Sequence, residues 1–160
     1  MTTGIDRGRL IALTGATGFL GSHIADALLA RGYRVRASVR ATSSLRWIEG
    51  KDIETVEVDL TDADTCTRFL AGTNGLIHNA GVVQAANEEG YQRGNTETTR
   101  ALASAAARAW TSGDEAFVLV SSLAAHGPAG LDAPAVETMI YRTNTAADAK
   151  SFYRVGVDLR

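Results

Sequence analysis

The stretch Thr14-Gly15-Ala16-Thr17-Gly18-Phe19-Leu20-Gly21 constrains this chain more than any other. A short apolar run, Leu10-Ile11-Ala12-Leu13, precedes it, and Leu20, Ile24 and Leu28 follow at helical spacing. The pattern is a buried strand, a glycine-rich turn and a helix. Each glycine has a separate task in such a junction. The first permits the tight turn, the second lets backbone approach a pyrophosphate, and the third lets the helix pack against its strand. The helix amino end then offers N–H groups and a positive dipole end to phosphate. An ordinary structural turn is the alternative, and the strand and helix on either side weigh against it.

The remainder of the chain repeats the alternation. Arg9 to Thr14 reads as strand one and Gly18 to Arg31 as the first helix, with Gly32 placed to end it. Tyr33 to Val39 reads as strand two, and Ile53 to Leu60 as strand three and its exit. A helix follows to about Ala71, with Thr61 as its expected cap and Gly72 after it. Gly75 to Gly81 is strand four and its turn, and His78 within it reads as a packed strand residue rather than an acid or base. Asn87 to Trp110 is expected as one helix, carried by the alanine-rich run 101–107. Ala116 to Ser122 is an unbroken apolar run ending in two serines, as expected of a parallel strand buried on both faces. Five strands separated by helices, with right-handed crossovers, give an α/β doubly wound parallel sheet in the order 3-2-1-4-5. A ligand would lie across the carboxyl ends of strands one and four.

The totals set outer limits. A chain of 160 residues with 45% apolar side chains can bury a core, and a net charge of −2 supplies no attraction for nucleic acid or an anionic membrane. No apolar run is long enough to span a bilayer, and the first nine residues lack an apolar signal core, so a cytoplasmic location is expected. Cys66 is the only cysteine and reads as a buried small residue. Between Arg31 and Ile48 there is no Asp or Glu to accept bonds from an adenosine ribose. Arg40 instead follows strand two, which suits a 2′-phosphate, so NADP is favoured over NAD; Arg36 and Arg46 are alternative phosphate partners.

Thr14-Gly15-Ala16-Thr17-Gly18-Phe19-Leu20-Gly21 resembles the cofactor motif of the extended short-chain dehydrogenase/reductases, which include epimerase/dehydratases and dihydroflavonol-reductase-like enzymes. The Val39-Arg40 ending is similar to that of NADP-dependent members. Asp59-Leu60 resembles the acidic exit that meets the adenine, although Asp59 can equally serve the start of the next helix. His78-Asn79-Ala80-Gly81 resembles the segment where small residues let the cofactor ribose lie against backbone. Asn95 matches the Asn of an Asn-x-x-Gly-Thr segment, with Thr98 in the Gly place and Thr99 matching. Ser121-Ser122-Leu123-Ala124-Ala125-His126-Gly127 resembles the catalytic-serine segment, with Ser122 in the catalytic place and His126 where Tyr is common. The resemblance implies a Rossmann-type, three-layer αβα fold, a small-molecule substrate and hydride transfer between nicotinamide and a carbinol or carbonyl carbon.

The resemblance weakens after Gly130. The expected Tyr-x-x-x-Lys is absent: Lys150 has Ala146 four residues before it, Tyr141 is followed four later by Thr145, and Tyr153 by Val157. Lys150 would bind ribose hydroxyls, and Tyr141 is carried as the alternative phenol. Residues 1–130 are therefore expected as the NAD(P)-binding domain and 131–160 as an atypical tail, in a chain truncated relative to the family. An exposed last strand would favour a homodimer. Two readings stand: a hydride-transferring oxidoreductase or epimerase/dehydratase, and a non-catalytic NADP-binding module. A bare interaction domain is a weaker third.

Overall fold

The computed structural model describes residues 8–122. The chain divides into two units, Met1–Leu119 and Val120–Arg160. In the first unit the order is β1 (Leu10–Thr14), α1 (Phe19–Ala30), β2 (Arg34–Val39), β3 (Ile53–Glu57), α2 (Ala63–Leu70), β4 (Gly75–His78), α3 (Glu88–Tyr91), a π-helical segment (Gln92–Glu97), α4 (Thr98–Ala109) and β5 (Ala116–Leu119). All strand pairs are parallel, and the sheet order is β3-β2-β1-β4-β5, as the alternation implies. Parallel neighbours need crossovers, and the helices supply them.

The central strand explains the two cores. In β1, Ala12 and Leu13 point to opposite faces, as strand geometry requires, and both are fully buried. Ala12 belongs to a cluster with Phe69 and Leu70 of α2 and with Ala101, Leu102 and Ala105 of α4. Leu13 belongs to the other, with Ala25 of α1, Val35, Ala37 and Ile48. Trp110 closes the first cluster, and its indole N–H donates to the Thr73 hydroxyl at 3.2 Å, so its polar atom is not stranded.

Local chemistry sets the element ends. Gly32 and Gly72 have φ of +81° and +70°, the left-handed conformation that stops α1 and α2. The cap of α2 is Asp62, not Thr61: its carboxylate accepts from the Asp64 and Thr65 amides. Thr61 is engaged one step earlier, donating its amide and hydroxyl to Asp59. Arg36 leaves β2 toward the other end of α2. Its guanidinium donates to the carbonyls of Phe69 and Ala71 and pairs with Glu54 at 3.0 Å.

Two expectations need correction. Asn87 to Trp110 is not one α-helix, because a π turn interrupts it at Gln92–Glu97. β5 is not buried on both faces, and it ends at Leu119 rather than Ser122. Among the described residues it is last in the sheet order and pairs only with β4, and Val118 and Leu119 are 49% and 50% exposed. No helix among the described residues is long and apolar enough to cross a membrane.

Leu102 is fully enclosed between α2 and the sheet. Leu102→Ala is expected to cost about 2–5 kcal/mol, since the cavity cannot collapse fully, and urea unfolding followed by circular dichroism measures it.

Candidate cofactor site at the carboxyl edge of the sheet

β1, β2 and β4 end side by side, and the glycine turn leaves β1 at the point where the strand order reverses. Gly15 has φ +73°, and the Gly18 amide returns to its carbonyl at 3.1 Å. A Cβ on Gly15 would stand 2.8 Å from the Ala80 amide nitrogen, so this glycine lets the turn touch the loop after β4. A Cβ on Gly21 would fall on the Gly15 carbonyl, so this glycine brings α1 against its own turn.

Gly18 differs from both. Its backbone is extended (φ −88°, ψ 171°), and a Cβ would meet only the Gly15 oxygen, at an ordinary 3.4 Å. The described backbone does not require glycine there. Gly18 is also the cap of α1. Among the described residues no side chain caps the helix, and no acid stands in its first turn, which leaves its partially positive end at the open side of the turn. Thr17 is half-buried, while Leu20 and Phe19 are exposed, Phe19 lying edge-on to His23.

The loop after β4 is held from two sides. Thr14 Oγ1 accepts from the amides of Asn79 at 3.1 Å and Ala80 at 3.0 Å, and the Asn79 side-chain amide reaches the Gly15 carbonyl at 3.5 Å. From the π turn, Asn95 Oδ1 accepts from the Val82 amide at 2.7 Å while its Nδ2 donates to the Val82 carbonyl at 3.0 Å. A Cβ on Gly81 would lie 3.2 Å from Asn95 Oδ1, and one on Gly94 would collide with the Val82 side chain. Asn95 thus acts on the loop, not toward solvent. Val82, Gly94 and the π turn escaped the sequence reading. The signal was a glycine next to Asn95 inside an otherwise helical stretch.

At the end of β2, Arg40 is exposed, and the turn 40–43 is closed by Ser43 N–H to the Arg40 carbonyl and by the Arg40 amide to Ser43 Oγ, both 2.9 Å. Among the described residues its guanidinium has no hydrogen bond or ion pair. The two alternatives are engaged elsewhere: Arg36 with α2 and Glu54, and Arg46 over the Trp47 ring at 4.6 Å. Asp59 lies beyond β3 with one oxygen bound by Thr61. The hydroxyl and amide of Thr61 hold its carboxyl below the usual range. Leu60 packs against the α2–α4 core.

His78 is a buried strand residue, 1% exposed, and burial pushes its pKa down to about 4. Cys66 is buried as expected, and burial, followed by Asp62 and Asp59, raises its thiol to about 11, far from a reactive thiolate. No group of His, Cys, Asp or Glu among the described residues is arranged to hold a metal. Ser121 and Ser122 follow β5 in the chain and are exposed, as the first residues of the second unit. Tyr141 and Lys150 lie outside the described residues.

A parallel sheet with a glycine turn and an uncapped helix end at its reversal point defines a dinucleotide-binding fold. The comparisons narrow the class: residues 11–150 match the NAD dependent epimerase/dehydratase family, and the chain belongs to that family. It is 40% identical over 119 residues to a ceramide reductase of Caulobacter vibrioides, covering 74% of this chain and 36% of the relative. It is 37% identical over 120 residues to a putative dihydroflavonol 4-reductase of Synechocystis, covering 74% and 34%. The crystal structure of gox2253 superposes with a TM-score of 0.66 at 36% identity, over 82% of this chain and 41% of that one. The chain thus spans about a third of the length of these curated relatives.

Two outcomes follow from this geometry. Gly21→Ala is expected to lower the thermal midpoint clearly and Gly18→Ala to leave it nearly unchanged, because only the first has backbone in its way; differential scanning fluorimetry separates them. Stability is also expected to fall with acid. His78 binds its proton near pH 6.5 when unfolded and near 4 when folded, so the unfolded chain takes it up first. The contribution is complete above about pH 6.5 and is lost as the pH falls toward 4. The drop in midpoint on acidification should be smaller in His78→Asn than in the parent.

Proposed function

We propose that this chain binds NADP(H) at the carboxyl edge of its sheet and forms the cofactor-binding part of an oxidoreductase or epimerase/dehydratase. The observation that carries the reading is the pairing of two features. Among the described residues, the face of Gly18 is open at an uncapped helix end, and the guanidinium at the end of β2 has no partner. The first suits a pyrophosphate approached by backbone, and the second a 2′-phosphate that needs a charge-assisted contact. The residues present fit the group: the Gly18 face of the turn is open to close approach, a Cβ there meeting only the Gly15 oxygen among the described residues.

In this reading Thr14, Gly15, Thr17, Gly18, Phe19, Leu20 and Gly21 form the pyrophosphate turn and the helix end. Arg40 holds the 2′-phosphate, Asp59 and Leu60 border the adenine, and Asn79, Ala80 and Gly81 present backbone to the nicotinamide ribose. Asn95 keeps that loop in place through Val82. A bound nicotinamide dinucleotide supplies the hydride acceptor or donor. Ser121 and Ser122, by their place in the sequence, would border the reacting carbon, with the Ser122 hydroxyl orienting a substrate oxygen. Lys150 would bind ribose hydroxyls and Tyr141 would provide the phenol that exchanges a proton with the substrate oxygen. The substrate is a small molecule with a carbonyl or carbinol carbon, as the names of the two curated relatives suggest. Family membership favours this reading over the non-catalytic module.

Calorimetric titration with NADPH and NADH tests the proposal. NADPH is expected to bind more tightly. Arg40→Ala should weaken NADPH by about 10- to 100-fold, the order of one lost charge-assisted contact, and NADH by no more than about threefold. Equal losses would remove Arg40 from the site. Gly18→Val should abolish binding of both cofactors in a protein that still unfolds cooperatively.

A further inference from the structure

The buried ring of His78 is engaged at both nitrogens, and every hydroxyl it meets is committed. Thr14 Oγ1 lies 2.7 Å from Nδ1, and Thr99 Oγ1 lies 3.1 Å from Nε2. A hydroxyl has one proton and two lone pairs. Thr14 Oγ1 already accepts from the amides of Asn79 and Ala80, so its proton goes to His78. Nδ1 is therefore the acceptor, and the ring proton is on Nε2. That N–H donates to Thr99 Oγ1, whose own proton goes to the Asn95 carbonyl at 2.7 Å. The bonds run in one direction from the loop after β4, through the glycine turn and the ring, into the π turn.

We infer that His78, as the Nε2–H tautomer, is a positioning residue of the nucleotide site: it orients the Thr14 hydroxyl so that this oxygen holds the Asn79 and Ala80 amides against the glycine turn. The inference rests on the cofactor reading above. What it adds is a reason for a polar ring at a place where an apolar side chain would fill the core. Without an acceptor at Nδ1, the Thr14 proton has no partner, and the hydroxyl turns to find one. An amide at 79 or 80 then loses its acceptor at the point where Gly15 and Ala80 are in contact. A proton on Nδ1 has the same effect, placing two donors face to face. Among the described residues the elements packed on the ring present no competing charge: β1 offers Thr14, α4 offers Thr99, and β5 offers the Phe117 ring, edge-on at 6.5 Å. Burial is the one cause of its lowered pKa.

The test uses the full chain and NADPH as probe. Nitrogen-15 spectra of the histidine rings near neutral pH should show His78 protonated on Nε2; an Nδ1–H ring overturns the proposal and needs no variant. His78→Leu should weaken NADPH by about tenfold or more. His78→Asn, whose Oδ1 can stand where Nδ1 does, should restore affinity to within about threefold of the parent. His78→Leu added to Thr14→Val should weaken binding no further than Thr14→Val alone, because the ring acts through that hydroxyl. Additive losses, or no rescue by Asn, overturn it. If the parent does not bind NADPH, the cofactor reading has failed by itself. The ring tautomer and the exchange rate of the Ala80 amide, slow in the parent and His78→Asn and fast in His78→Leu, still decide the role of His78.

Discussion

One hydroxyl group ties the two halves of the sheet together where the strand order reverses. Thr14 ends β1 and begins the glycine turn, and its oxygen holds two consecutive amides of the loop leaving β4. Parallel strands diverge once their ladder ends, and their loops carry unpaired polar groups. Here the divergence is delayed by a buried oxygen whose bonding capacity is full. The absence of a side chain at Gly15 permits the same closeness from the other direction. Backbone of the turn and backbone of the loop therefore form one surface at the switch point, and a ligand placed there meets main chain instead of side chains.

Much of this architecture was legible. The strand order followed from the alternation of apolar runs and helices, because parallel pairing and handed crossovers leave few topologies. The glycine turn was legible because its three glycines stand at the spacing that such a junction uses. Their surroundings are not alike, however. Gly15 and Gly21 serve the protein's own backbone and Gly18 serves open space. Spacing alone does not separate a glycine that backbone requires from one that faces open space; the position of the missing Cβ does.

The misreadings have physical causes. Alanine-rich sequence between 101 and 107 fixes a helix but says nothing of its first turns, where the Asn95 side chain makes two bonds to Val82 and an extra residue is accommodated as a π turn. Apolar content in β5 was read as burial on both faces, yet burial depends on what lies alongside, which is a property of the sheet order. Arg36 looked like a phosphate ligand because it is cationic and near the right strand end. Strand alternation directs it instead to the last carbonyls of α2, where a cation complements the helix dipole.

The way α1 is anchored bears on how the site behaves over time. Its fully buried positions are Gly21, Ser22 and Ala25, whereas α4 buries Leu102 along with Thr98 and three alanines. Small residues bring α1 close to the sheet, and Ile24, Leu28 and Leu29 pack on the Leu13 core while staying partly exposed. These large side chains of α1 are thus only half-buried, whereas α4 encloses Leu102 fully. Segments of that kind open locally at lower free energy than the rest of a domain. An anion bound at the amino end favours the closed helix by its own binding energy, in proportion to its occupancy. If an anion binds there, its occupancy and the order of α1 are two readings of one equilibrium. Amide exchange along α1, slowing as the cleft fills, would report the ligand from inside the protein.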